Sequence, residues 1–246
     1  MRKAALITGA SRGIGRAVAV ELAKGSDAEV LVLNARHSSG KLEELSTLIG
    51  TLAPEKECII SYGDVGNLAY VEELKQKVEE IGASVQIIIN NAAVSYVGLL
   101  TDMTEADWNE TVSTNLSAVF NVCHTFVPGM ISVKSGTIIN VSSVWGLVGA
   151  SCEVAYSATK GAVNAFTKAL AKELAPSGIS VNAAAFGVID TEMNGHLNED
   201  EKNALAEEIP AGRMATPKEA ADYIYSVATS PAYLTGQVLT FDGGWI

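Results

Sequence analysis

Apolar residues gather in short runs at positions 4–8, 30–34, 58–61, 85–90, 137–141, 179–183 and 238–241, several of them apolar throughout and rich in Val and Ile. Such runs suit strands that meet water on neither face. Between most of them the period changes: segments 15–24, 41–52, 68–81, 155–174 and 217–229 carry apolar residues near every third or fourth position, as amphipathic helices do. Strand alternating with helix predicts an α/β architecture, a doubly wound parallel sheet of about seven strands flanked by helices, with few permitted connections. No repeat, low-complexity tract or linker interrupts the pattern, so residues 1–246 read as a single domain.

The most polar stretch, 194–208, leaves the sixth strand at its carboxyl end, where ligands bind in such sheets. Segment 190–212 therefore reads as a substrate lid, and the alternative is a solvated helix start at Asn198-Glu199-Asp200-Glu201.

Composition narrows the function classes. Seventeen Lys plus Arg against 28 Asp plus Glu leave a net charge of −11, which argues against nucleic acid or an anionic membrane as partner. No apolar run is expected to reach the roughly 18 residues of a membrane span, and Arg2-Lys3 leads into a glycine-rich turn rather than a cleavable apolar leader, so the mature chain reads from Met1. Cys58, Cys123 and Cys152 form neither a disulfide framework nor a CxxC pair, which suits a cytoplasmic protein. His37, His124 and His196 form no ligand cluster, so no metal is expected.

The first strand ends in Thr8-Gly9-Ala10-Ser11-Arg12-Gly13-Ile14-Gly15 and enters an Ala/Val/Leu-rich helix. Glycines there permit a tight turn and close backbone approach, and the helix start favours a pyrophosphate, so a dinucleotide is expected on a three-layer Rossmann fold. The spacing is TGxxxGxG. It resembles that of the short-chain dehydrogenase/reductase family, and the resemblance extends through Asp64-Val65, Asn90-Asn91-Ala92-Ala93, Asn115, Ser142-Ser143, Tyr156 with Lys160, Gly236-Gln237 and Asp242-Gly243-Gly244, in that family's order.

The resemblance implies a nicotinamide cofactor held by Gly9, Ser11, Arg12, Gly13, Ile14 and Gly15 at the turn, and by Asn34 and Arg36 after the second strand. It further implies contacts from Asp64 and Val65 at the adenine, from Asn90 and Ala92 in the cleft, from Tyr156 and Lys160 at the ribose, and from Gly187, Ile189 and Thr191 along the nicotinamide. Charge selects between cofactors. A carboxylate after the second strand would bond a ribose 2′-hydroxyl, whereas Asn34-Ala35-Arg36 offers none and Arg36 with Arg12 suits a 2′-phosphate, so NADP(H) is expected unless Arg36 is merely exposed at a loop.

Tyr156 and Lys160 stand four apart in a helical pattern, on one face. A free tyrosine titrates near about 10, and a close ammonium would favour the phenolate. Ser143 ends the fifth strand and can donate to a carbonyl oxygen, while Ser142 points to the other face. By resemblance Ser143, Tyr156, Lys160 and Asn115 form a catalytic set, with the Asn115 side chain helping to hold a water beside Lys160. The alternative for Asn115 is to bond an irregular helix backbone. The set implies an oxidoreductase that moves hydride to a carbonyl while Tyr156 supplies the proton. Phe186-Gly187 departs from the family's usual Pro-Gly, and the ring is expected to reshape the substrate pocket. Ala93 replaces a usual glycine and is expected to be tolerated.

For the substrate, the chain resembles the β-ketoacyl-acyl-carrier-protein reductases, which would make acyl carrier protein a partner. Lys134 stands at one position where such reductases carry a docking cation, but Ser177 replaces the cation at another, and the acidic chain suits an acidic carrier poorly. A narrower resemblance, through Val144-Trp145-Gly146, residues 149–156 and residues 173–178, is to the reductases of a 5-aminopentanone group on elongation factor P. Glu153 could then meet the amine, or simply start a helix; Trp145 could wall the pocket or fill a loop core. Cys152 reads as a small buried apolar residue. A non-catalytic NADP(H) sensor is the alternative of another class. Family resemblance implies a homotetramer, and the competing reading of the apolar end Trp245-Ile246 folds it back on its own subunit.

Overall fold

A computed structural model of the protein describes residues 1–37, 40–195 and 198–246. The seven strands are β1 (Arg2–Ile7), β2 (Val30–Ala35), β3 (Glu57–Tyr62), β4 (Ala83–Asn90), β5 (Gly136–Ser143), β6 (Ile179–Phe186) and β7 (Val238–Phe241). They form one parallel sheet in the order β3-β2-β1-β4-β5-β6-β7. The chain order reverses between β1 and β4, which opens a crevice at their carboxyl ends.

Continuous apolarity is explained by the two layers of helices. Ala5, Ile7, Leu31 and Leu33 point into a core shared with α1 (Gly13–Gly25), α2 (Lys41–Leu52) and α9 (Pro217–Ala228). Their neighbours Ala4, Leu6, Val30 and Val32 point into the opposite core, shared with α3 (Leu68–Glu80), α5 (Ala118–Val133) and α7 (Val154–Leu174). Every residue of β2 is buried. Side chains alternate across a strand, so a strand covered on both faces needs apolar residues at every position.

Two segments depart from the expected pattern. Strands β5 and β6 run on to Ser143 and Phe186, in register with each other. A helical run not marked by the period, α4 (Glu105–Val112) continuing through a π turn at Ser113–Ser117 into α5, occupies the connection after β4. Ser, Thr and Asn at the π turn and Pro128 inside α5 obscure its period. Residues Glu105–Val133 are long and apolar enough to cross a membrane, contrary to expectation, but half of that apolar window is buried inside the protein, as in a core helix.

Candidate active site

The site begins at the turn after β1. Gly9 and Gly13 take φ of +66° and +53°, which L side chains rarely adopt, and a Cβ on Gly15 would lie 2.3 Å from the Gly9 carbonyl oxygen. The turn is braced from β4: Asn91 Nδ2 donates to the Thr8 and Gly9 carbonyls, and Thr8 Oγ1 accepts from the Asn91 and Ala92 amides. Arg12, the N-cap of α1, gives no side-chain hydrogen bond to the helix, and no acidic residue stands in the first turn. The first-turn N–H groups and the helix dipole thus face the crevice with no carboxylate of their own turn, an arrangement that fits a dinucleotide pyrophosphate.

Around this turn the expected cofactor residues separate into three groups. Arg12 pairs with Glu192 at 3.2 Å, and Arg36 pairs with Glu110 at 2.6 Å and Asp64 at 3.5 Å, all on the exposed rim. Ser11, Ala92, Gly187 and Thr191 border the crevice only partly buried. Val65, Ile189 and the partly buried Ile14 turn their side chains into the cores, which leaves their backbone atoms for any contact.

Two of the expected contacts need correction. Asn34 is 1% exposed, and its amide donates to Ser61 O, Gly63 O and Tyr70 Oη. Its link to the turn is through the backbone, where Ala10 N donates to its carbonyl. Asn90 likewise turns inward, donating to Asn140 Oδ1 at 2.8 Å, while Asn140 donates to Thr167 Oγ1. Both asparagines tie strands together because a buried amide must find partners inside the fold.

At the carboxyl end of β5 the Ser142 hydroxyl donates to Asn164 Oδ1 at 2.6 Å, so Ser142 meets α7 rather than the opposite face, and Ser143 also meets α7, at Tyr156 in its first turn. There the Ser143 hydroxyl stands beside Tyr156 and accepts from Trp145 N. Lys160, one turn on, is buried with its ammonium 5.4 Å from the Tyr156 ring centroid and donates to Val141 O at 2.7 Å. Burial pulls the Lys160 pKa down to about 8. The Tyr156 hydroxyl is pushed up, first by burial and then by the Glu153 carboxylate, with Ser143 pulling the other way. The expected acidification of Tyr156 by Lys160 is not found in this arrangement: desolvation of the phenolate dominates, and Ser143 alone acts to lower the value. Asn115 sits in the π turn, where its Oδ1 accepts from Val94 N and its Nδ2 donates to Val94 O and Thr159 Oγ1, so its side chain ties the π turn to the segment after β4 and to α7.

Glu153 precedes α7 without capping it. Its carboxylate accepts from Ser95 Oγ at 2.6 Å and from Trp145 Nε1 at 3.1 Å, on the substrate side of Tyr156. The Trp145 ring in turn lies 4.7 Å from that of Trp245, so the apolar C-terminus packs on its own chain beside the site. Ser95 carried no mark in the sequence, because only the fold brings it to Glu153. Phe186 corrects the other way: it is 3% exposed and packs on Tyr223 and Phe241 in the core, so it does not line a substrate pocket. Cys152 is half-buried at φ +63°, not a core residue.

Segment 190–212 leaves a base closed by the Ile189–Ala215 bridge and carries α8 (Glu199–Glu208), started by a reciprocal Asn198–Glu201 capping box. A helix start thus stands at residues 198–201 inside the segment read as a lid, and His196 lies outside the described residues. Among the described residues no group of His, Cys, Asp or Glu is arranged to hold a metal.

The sequence profile of the short chain dehydrogenase family matches residues 3–202. An uncharacterized oxidoreductase of Bacillus subtilis, YmfI, is 40% identical, with 100% of this chain and 99% of that protein covered. The 3-oxoacyl-[acyl-carrier-protein] reductase FabG of Chlamydia muridarum is 34% identical over 99% of this chain and 97% of its own length. Among solved structures, ElxO with NADP bound superposes with a TM-score of 0.88 at 31% identity, covering 100% of this chain and 99% of that one.

Proposed function

From the premise that this chain belongs to the short-chain dehydrogenase family, and is an oxidoreductase acting on a C=O/CH–OH group, we propose that it is an NADPH-dependent reductase of a carrier-linked 3-oxoacyl group. The observation that carries the reaction is the meeting of Ser143, Tyr156 and Lys160 at the carboxyl end of β5, beside a phosphate-ready turn. When bound, the dinucleotide supplies the hydride. Ser143 donates to the substrate oxygen, and Tyr156 delivers the proton as charge develops there. The Tyr156 hydroxyl is protonated at neutral pH, the form that gives a proton in the reductive direction. Lys160, with its ammonium beside the Tyr156 ring, would hold the nicotinamide ribose. The cofactor choice follows from the absence of a carboxylate at the end of β2 and from the cations there, in keeping with the NADP-bound neighbour.

Relatives named as 3-oxoacyl-carrier reductases at 34–36% identity support the substrate. A second reading has one observation in its favour: the Glu153 carboxylate, held by Ser95 and Trp145 on the substrate side of Tyr156, suits an amine-bearing substrate such as the aminopentanone on elongation factor P. Exposed Trp108, Phe120 and Ile131 on α4 and α5 support self-association into a homotetramer, and free cysteines suit the cytoplasm.

The deciding experiment follows NADPH oxidation with acetoacetyl-acyl carrier protein, with a small thioester mimic and with aminopentanone-modified elongation factor P. Turnover favoured by the acyl carrier supports the first reading. Reaction of the modified factor alone replaces it with the second. Binding of NADPH without turnover of any carbonyl leaves a sensor.

A further inference from the structure

Each cation at the adenosine end of the crevice is held by carboxylates of its own chain. Arg36 is committed to two, Glu110 and Asp64. Arg12 and Lys41 instead share one: Glu192 lies 3.2 Å from the Arg12 guanidinium and 3.0 Å from the Lys41 ammonium. Arg12 belongs to the phosphate turn and Lys41 opens α2, the helix that follows β2. In a doubly wound sheet the pyrophosphate sits at the first helix and the adenosine ribose turns toward the end of the second strand, so the space between these two helix starts is where a ribose 2′ substituent lies.

Glu192 reaches that space from the opposite side. It follows Thr191 in the connection after β6, and Thr191 lies over the turn, where a Cβ on Gly13 would be 3.3 Å from its Cγ2. The Glu192 side chain is 54% exposed and buries no apolar surface of note, and an exposed ion pair adds little to stability. Its placement is that of an anion on two phosphate-binding cations.

We propose that Lys41 determines specificity for the cofactor's 2′-phosphate and that the Glu192 carboxylate is the phosphate's stand-in, exchanged for it on Arg12 and Lys41 when NADP(H) binds. The inference rests on the NADP(H) reading above. The exchange keeps both cations paired and substitutes a group of higher charge with more acceptor oxygens. A cofactor with a bare 2′-hydroxyl brings no such group and leaves Glu192 in place. Lys41 therefore supplies selectivity, and Glu192 moderates the affinity that Arg12 and Lys41 would otherwise give.

The test measures dissociation constants of NADPH, NADH, adenosine 2′,5′-bisphosphate and 5′-AMP by fluorescence and calorimetry, for the wild type, Lys41→Ala and Glu192→Gln. Glu192→Gln is expected to tighten NADPH and the bisphosphate by about threefold to fivefold, the scale of one exposed ion pair, and to change NADH and 5′-AMP by less than about twofold. Lys41→Ala is expected to weaken the two 2′-phosphorylated ligands by about tenfold, and the NADPH-to-NADH preference with them. A preference unchanged in Lys41→Ala, or NADPH affinity unchanged or weakened in Glu192→Gln, overturns the proposal. A wild-type protein that binds NADH more tightly than NADPH overturns the NADP(H) reading itself.

Discussion

The two halves of the sheet carry polar groups in opposite ways. Around β1–β3 the functional side chains are charged and exposed: Arg12, Arg36 and Lys41 meet Glu192, Glu110 and Asp64 on the rim. Around β4–β6 they are mostly neutral and buried, in chains such as Asn90–Asn140–Thr167 and Ser142–Asn164, with Lys160 as the buried charge among them. The exposed pairs contribute little to folding but set the field that an incoming anion meets. The buried groups gain little net energy from each bond, yet losing one partner leaves the other unsatisfied in a low dielectric. One half is thus organised to exchange ligands, the other to hold reacting groups still.

That contrast can be broken from either side. The largest effect is expected at Tyr156: Tyr156→Phe should lower carbonyl reduction by about 10³-fold while NADPH affinity stays within about twofold, because only proton delivery is removed. Turnover near the wild-type rate would remove Tyr156 from the mechanism. Next comes Lys160. Its folded-state pKa of about 8 lies below the ordinary lysine value, so the buried ammonium destabilises the fold at pH below 8, and that penalty fades as pH rises from 8 through the unfolded lysine's range. Lys160→Met should therefore lose activity yet be more stable at pH 7 by roughly 3 kcal/mol, with the gain shrinking above pH 8 in pH-dependent melting curves.

Asn140→Ala opposes it in sign. It strips partners from Asn90 and Thr167 and should cost roughly 2–3 kcal/mol in urea denaturation. In the exposed half, Arg36→Ala should cost less than about 1 kcal/mol of stability, and a larger loss would break the comparison. The finest test is Glu153→Gln, which removes a cause of the raised Tyr156 pKa. The limb of the pH–rate profile that belongs to Tyr156 should move to lower pH, and an unmoved limb would uncouple the two residues.

The legible part of the site was the part with local periodicity. Tyr156 and Lys160 share a helix face by spacing, and the glycine turn carries its own conformational demand, whereas Ser143 was chosen over Ser142 by family resemblance. Asn34 and Asn90 were misread because a polar residue at a strand end looks the same whether it faces a ligand or a buried partner on another strand. Phe186 was misread because the strand continues through it, and continuation decides which face its ring takes. The run Glu105–Val133 was missed where a π turn and an internal proline break the helical period.

The alternation of strand and helix, the two-sided burial of the central strands and the phosphate turn all follow from patterns within a few residues. No such pattern says that Glu192 lies on Arg12 and Lys41, that Glu153 joins Ser95 to Trp145, or that Trp245 closes against Trp145; packing of the layers does. Those contacts join segments far apart in the chain. Hydrophobic period and backbone propensity act over one or two turns, whereas a carboxylate's choice of cation depends on which loops the packed layers bring within a few ångströms.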